Sequence, residues 1–221
     1  MLDIEKYISD LIEELNRCFE ERLVYVGLQG SYLRGEATEE SDIDIMAVID
    51  GLCVSDLGTY RGVIESMPYA DKSCGFICSR EDLIHWNPLE MFHLLHSTED
   101  RYGKLSCLIP SYSDADIRNF VKMSINNMYH ELCHRYIHGD RNNTAAVLPE
   151  IYKGVFFILQ DKYFLTHRKF CKTKKELLNH LDGLDHAVLE RSIDLKTGRN
   201  CAYEESFQLL FTWCQETLSS L

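Results

Sequence analysis

Two aspartates one residue apart, Asp42 and Asp44, follow a Gly30-Ser31 pair after the ten-residue connection 32–41. They open the run DIDIMAVI (42–49), in which acidic and apolar residues alternate before the run becomes wholly apolar. Such alternation marks a strand, and residues two apart on a strand point to one face. Asp42 and Asp44 therefore present two carboxylates side by side, with Ile43 and Ile45 turned to the interior. Two like charges this close are costly unless a cation lies between them. Hard oxygen donors with a partly open coordination shell suit Mg2+. Two such ions about 3.5–4 Å apart can clamp the attacking and leaving oxygens of a phosphoryl or nucleotidyl displacement. Gly30 lets the backbone approach a triphosphate closely. Ser31 offers a hydroxyl and an N–H at a helix start, and Arg34 can offset phosphate charge.

The flanking elements must hold these groups. LVYVGL (23–28) is short and rich in β-branched and aromatic residues, which predicts a buried strand ending just before Gly30. Leu2, Ile4, Ile8, Leu11, Ile12, Leu15 and Cys18 recur at helical spacing, so a helix precedes that strand. A helix over 60–67 and a short strand at GFIC (75–78) complete an alternation that implies an α/β domain. The acidic residues Glu36, Glu39 and Glu40 of the connection read as a solvated face. From Pro88 onward the pattern is mostly helical: 89–97, 114–137, 145–166, 174–181, 186–194 and 204–218. The turn-prone IPSYSD (109–114) marks a boundary, so the expectation is an α/β domain over 1–110 and an all-α helical bundle over 111–221.

The chain has 221 residues, and its 23 Lys and Arg against 35 Asp and Glu leave a formal charge of −12. That balance argues against a long nucleic-acid partner, which needs clustered cations for phosphates, and against an anionic membrane surface. A small anionic ligand needs only a local positive site. The nine cysteines are odd in number, scattered and without a CxxC pair, so reduced thiols in a cytoplasmic protein are expected. The acidic N-terminal stretch does not read as a signal peptide, and no apolar run is long enough to span a membrane.

The stretch VYVGLQGSYLRGEATEESDIDIMAVI (24–49) resembles the nucleotidyltransferase superfamily, whose relatives include DNA polymerase beta. The superfamily signature is a hydrophobic residue, Gly, then Gly or Ser, a gap, and Asp-hydrophobic-Asp/Glu-hydrophobic. Gly30-Ser31 and Asp42-Ile43-Asp44-Ile45 fill those slots, and only the polar Gln29 before Gly30 departs. The longer form resembles the minimal bacterial branch, which includes aminoglycoside nucleotidyltransferases and nucleotidyltransferase-type antitoxins. The resemblance implies a polymerase beta-like α/β (α+β) domain with a mixed sheet, and a helical second half fits the aminoglycoside-modifying members. It implies ATP or another nucleoside triphosphate as co-substrate, two Mg2+ ions on Asp42 and Asp44, Gly30 and Ser31 on the triphosphate, and a small-molecule hydroxyl acceptor. An aminoglycoside-like antibiotic is one such acceptor, and its positive charge suits an acidic protein. The antitoxin-type members imply the alternative: a protein partner or a homodimer, with modification of a protein or binding alone.

The resemblance also implies a third carboxylate on the third strand, where Cys74 stands instead. A thiol is a poor Mg2+ ligand. Asp71 is the nearest acid and the candidate for that role, with Glu65 further off and Glu131 and Asp140 in the helical half. In an acidic chain, HRKFCKTKK (167–175) is the one dense basic cluster. By resemblance Lys169 faces the triphosphate, with Arg168 and Lys172 behind it; a solvated basic turn at a helix C-terminus is the other reading. A rival motif, His130-Glu131-Leu132-Cys133-His134, fits the zinc-peptidase pattern HExxH, and His138 extends it by a turn. The downstream ligands of that pattern are missing, so the stripe reads as a helix face.

Overall fold

The structure is a computed structural model that describes residues 2–139, 144–199 and 202–221. It divides into two compact units, Met1–Tyr112 and Ser113–Leu221.

The first unit opens with α1 (Ile4–Phe19), capped by Asp3, whose side chain accepts from Lys6 N at 3.1 Å. There follow β1 (Leu23–Leu28), the short α2 (Gly30–Arg34), β2 (Ile43–Ile49), α3 (Val54–Ser66) and β3 (Ser73–Cys78). The unit closes with α4 (Arg80–Ile84), α5 (Pro88–His96) and β4 (Glu99–Tyr102). Asn87 caps α5 with Pro88 in its first turn, so Trp86-Asn87-Pro88 is a helix start. The sheet order is β3-β2-β1-β4. β2 runs antiparallel to β1 and parallel to β3, and β4 is antiparallel to β1, so the sheet is mixed.

The period of two along β2 sorts its side chains into two cores. Ile43, Ile45 and Ile49 pack with Leu11, Leu15 and Phe19 of α1 and Val63 of α3. Met46 and Val48 pack on the other face with Tyr25, Cys78, Leu83 and Leu105. Asp44 has the parity of Met46 and Val48, so it continues the second face at the end of the sheet where β2 begins. α1 and α3 are excluded from that end of the face, which leaves it available to polar chemistry.

Among the described residues the second unit has helices only: α6 (Asp114–His138), α7 (Thr144–Tyr152), α8 (Val155–His167), α9 (Lys174–Leu178), α10 (Gly183–Lys196) and α11 (Tyr203–Ser220). Val121, Ile125, Tyr152, Leu159, Leu189, Leu210 and Trp213 form its core. Two of the core's large polar side chains are bonded: Tyr152 donates to Ser206 O at 2.7 Å and Trp213 Nε1 to Asp185 Oδ1 at 2.7 Å.

The expected single helix over 145–166 is two. It breaks at Lys153-Gly154, where a side chain at 154 would meet Met128 of α6 at 2.9 Å. The strand β4 was not expected, because EDRY carries no apolar alternation; it is a charged edge strand, with Arg101 bonded to Glu5 and Glu99. Among the described residues no helix is long and apolar enough to cross a membrane, and the eight described cysteines are free, Cys201 lying outside the described residues.

Candidate active site

The site is built where β1 ends and β2 begins. Gln29 N donates to Asp44 O at 2.8 Å, which carries the β1–β2 ladder one step past the strand. The Gln29 side chain donates to Thr98 Oγ1 at 2.7 Å, and Thr98 in turn donates to Leu94 O at 2.7 Å. The polar residue that breaks the signature thus ties the end of β1 to the C-terminal end of α5. Gln29→Leu should restore the hydrophobic slot yet cost about 1 kcal/mol of stability, the worth of one hydrogen bond. Urea unfolding of the two proteins measures the difference.

Gly30 follows with φ of 68°, in the left-handed region, and starts α2. A Cβ built on it would overlap the Asp44 carboxylate, Oδ2 being its nearest neighbour. Glycine is needed here twice, for its backbone angle and for the closeness of the aspartate. α2 ends on Gly35, also left-handed at φ 67°. Ser31 is half-buried in the first turn of α2, and its carbonyl accepts from Glu36 N at 2.9 Å. Arg34 pairs with Glu36 (Nε–Oε2 3.1 Å), so Glu36 is half-buried rather than part of a solvated face, whereas Glu39 and Glu40 are exposed as expected. Lys72 donates to Glu39 O and fastens the connection to the approach of β3.

Asp44 is half-buried and Asp42, just before β2, is exposed. Burial first, and the charge of Asp42 second, push the Asp44 carboxyl above its ordinary value; a hydrogen bond from Cys74 and the charge of Arg34 pull the other way. Two carboxylates in mutual repulsion form a site short of positive charge, and their donor set is all oxygen. These residues fit Mg2+. The parallel register sets Cys74 directly beside Asp44, so the third-strand position is a thiol that donates to Asp44. Burial and the Asp44 charge push that thiol up, which keeps it protonated.

The other candidates scatter. Asp71 is exposed in a single helical turn, Ala70–Lys72, and the pairing of Ile43 with Ser73 sets this turn at the same end of the sheet as Asp42. Glu65 is exposed on α3, which packs against the opposite face. Glu131 is engaged by Arg135 at 2.7 Å, which holds its carboxyl below the usual range, and Asp140 lies outside the described residues. His130, His134 and His138 are exposed in a row on α6, with ring centroids 6.1 and 5.1 Å apart. Lys169 belongs to the second unit, where its ammonium contacts Glu176 Oε1 at 2.9 Å and His180 Nε2 at 3.0 Å. Arg168 pairs with Asp114, so the basic cluster is partly neutralised within its own unit.

The family model described as the nucleotidyltransferase domain matches residues 8–62, which include most of α1, β1, Gly30-Ser31 and β2. A putative protein adenylyltransferase of Methanocaldococcus jannaschii is 39% identical over 70 residues, 28% of this chain and 70% of its own. The chain belongs to the nucleotidyltransferase superfamily. It is accordingly a transferase of that type, and the α/β unit followed by helices is the fold the resemblance implied. The whole chain is also similar in fold to the spectinomycin adenyltransferase AAD(9) from Enterococcus faecialis, solved with ATP and spectinomycin. The TM-score is 0.59 at 12% identity, over 97% of this chain and 99% of that one. Within the nucleotidyltransferase site, the feature that sequence reasoning could not supply is the Gly30–Asp44 contact, since spacing alone does not say that the two segments touch.

Proposed function

We propose that this nucleotidyltransferase moves a nucleoside monophosphate, AMP from ATP, onto a hydroxyl of a small cationic molecule and releases pyrophosphate. The observation that carries the reading is the contact of Gly30 with Asp44, which brings the glycine-serine turn and the paired carboxylates to one sheet end. In this reading Gly30 and Ser31 hold the triphosphate by backbone and hydroxyl, and Arg34 offsets its charge. Asp42 and Asp44 hold Mg2+, two ions in the full reading, which when bound polarises the phosphoryl oxygens and the leaving pyrophosphate. Asp71 takes the proton of the acceptor hydroxyl. The fold likeness to AAD(9), a protein solved with ATP and spectinomycin, supports an aminoglycoside-like acceptor. So does the charge of −12, which favours a cationic ligand.

A second reading rests on the Methanocaldococcus relative, whose name is that of a protein adenylyltransferase. There the acceptor is a protein side chain, in a partner or in a second copy of the chain. One assay separates the two: pyrophosphate release from ATP and Mg2+, with spectinomycin and aminoglycosides or with no small acceptor. Antibiotic-dependent release, lost in Asp42→Asn/Asp44→Asn, supports the first reading. Release without it, accompanied by label on protein, supports the second, and no release under either condition defeats both. Asp71→Asn should lower kcat while keeping the nucleotide- and Mg2+-dependent rise in Tm, because a proton acceptor acts in the chemical step and not in binding.

A further inference from the structure

The segment from the α8–α9 connection to just past α9 gathers a thiol, a carboxylate and an imidazole with no part in the reaction above. Cys171, Glu176 and His180 each offer one ligand atom, and these atoms lie within 4.8 Å of one another. Cys171 is fully buried and Glu176 half-buried, while His180 is exposed and opens the group to solvent. Each residue is held in place. Gln160 Nε2 donates to Cys171 O at 2.6 Å. Glu176 Oε2 accepts from Lys172 N at 3.1 Å, which leaves Oε1 turned toward the group. The His180 ring stacks on Tyr163 at 5.8 Å.

A cation already marks the position. The Lys169 ammonium donates to Glu176 Oε1 at 2.9 Å and approaches His180 Nε2 at 3.0 Å. A carboxylate oxygen and an imidazole nitrogen thus converge on one positive charge, with a thiol beside them. Sulfur, nitrogen and oxygen donors in one set select Zn2+ over Mg2+, which prefers oxygen alone.

We propose that Cys171, Glu176 and His180 form a zinc-class divalent cation site in the helical unit, with Lys169 as the cation that holds its place when no metal is bound. On binding, the Cys171 thiol gives its proton to solvent, the metal gains sulfur, nitrogen and oxygen ligands, and water takes the fourth position. The ammonium of Lys169 swings out. The proposal does not depend on the nucleotide reading, since none of the three ligands belongs to Asp42, Asp44 or their surroundings.

The test is titration of the full chain, stripped with a chelator, with Co2+ alone and then with Zn2+. One equivalent of Co2+ should give a thiolate-to-metal charge-transfer band that Zn2+ removes. The band should vanish in Cys171→Ser. In His180→Gln, an exposed change that spares the core, affinity should fall by at least about tenfold. In Lys169→Met, Zn2+ should bind more tightly by competition with a chromophoric chelator, because no ammonium competes. Absence of the band in the wild type overturns the proposal, as does a band unchanged in His180→Gln. Unchanged or weaker binding in Lys169→Met also overturns it. If Cys171→Ser does not fold, His180→Gln decides.

Discussion

Gly30→Ala will cost the protein its nucleotidyl transfer while leaving most of its fold in place. Two effects add. Alanine at φ 68° occupies the left-handed region at a cost of roughly 1–2 kcal/mol. Its Cβ must also push the Asp44 carboxylate aside, because the two cannot share the space. A displacement of about 1 Å in a catalytic group is worth about 100-fold in rate, and here the displaced group is one of the two proposed metal ligands. Loss of at least that factor in kcat/KM is expected from pyrophosphate release. Gly35→Ala separates the two effects. Gly35 has nearly the same backbone angle, φ 67°, but nothing lies within 4 Å of a Cβ there. It should lower Tm by a similar amount and keep its activity. Equal losses of activity in the two variants would falsify the argument from contact.

The same contact explains what could be read from the sequence and what could not. The apolar and acidic alternation of 42–49 announces a strand with one polar end, and the structure has β2 over Ile43–Ile49. The helical periodicity of α1 is equally plain, because Tyr7, Ile8, Leu11, Leu15 and Phe19 are buried along one stripe. β4 was hidden because it is an edge strand whose side chains are mostly charged; its existence depends on backbone pairing with β1, which leaves no hydrophobic trace. The break between α7 and α8 falls at Lys153-Gly154, inside a run whose apolar pattern continues through it, and a side chain at 154 would meet Met128. The basic run at 167–175 gives a charge density but not its partners: Asp114, distant in the chain, and Glu176, the residue just after the run, claim two of its cations. Cys74 stands where resemblance implied an acid, and only the β2–β3 register reveals that its thiol serves Asp44.

Asp44→Asn should produce opposite changes in two measurements. Activity should fall by about 1,000-fold, since a bound metal contributes several kcal/mol of charge stabilisation and about 1.4 kcal/mol is worth a factor of ten. The metal-free fold should become more stable. Burial and Asp42 raise the Asp44 carboxyl above its ordinary value, so the folded chain holds that proton more tightly than the unfolded chain. Ionisation of Asp44 therefore destabilises the fold as pH rises from the unfolded value through the higher folded one, and the penalty stays in full at neutral pH. Asparagine keeps the shape and removes the charge. Without metal or nucleotide, Tm at pH 7 should rise by about 1–4 °C, and the gain should shrink as pH falls through that window. Mg2+ with ATP should raise the wild-type Tm and leave the variant's unchanged, because binding to the folded state alone is what stabilises. The order of stability then inverts at saturating ligand. A variant less stable than the wild type without metal would mean that the Asp44 charge is satisfied by Arg34 and Cys74, and that no cation is needed there.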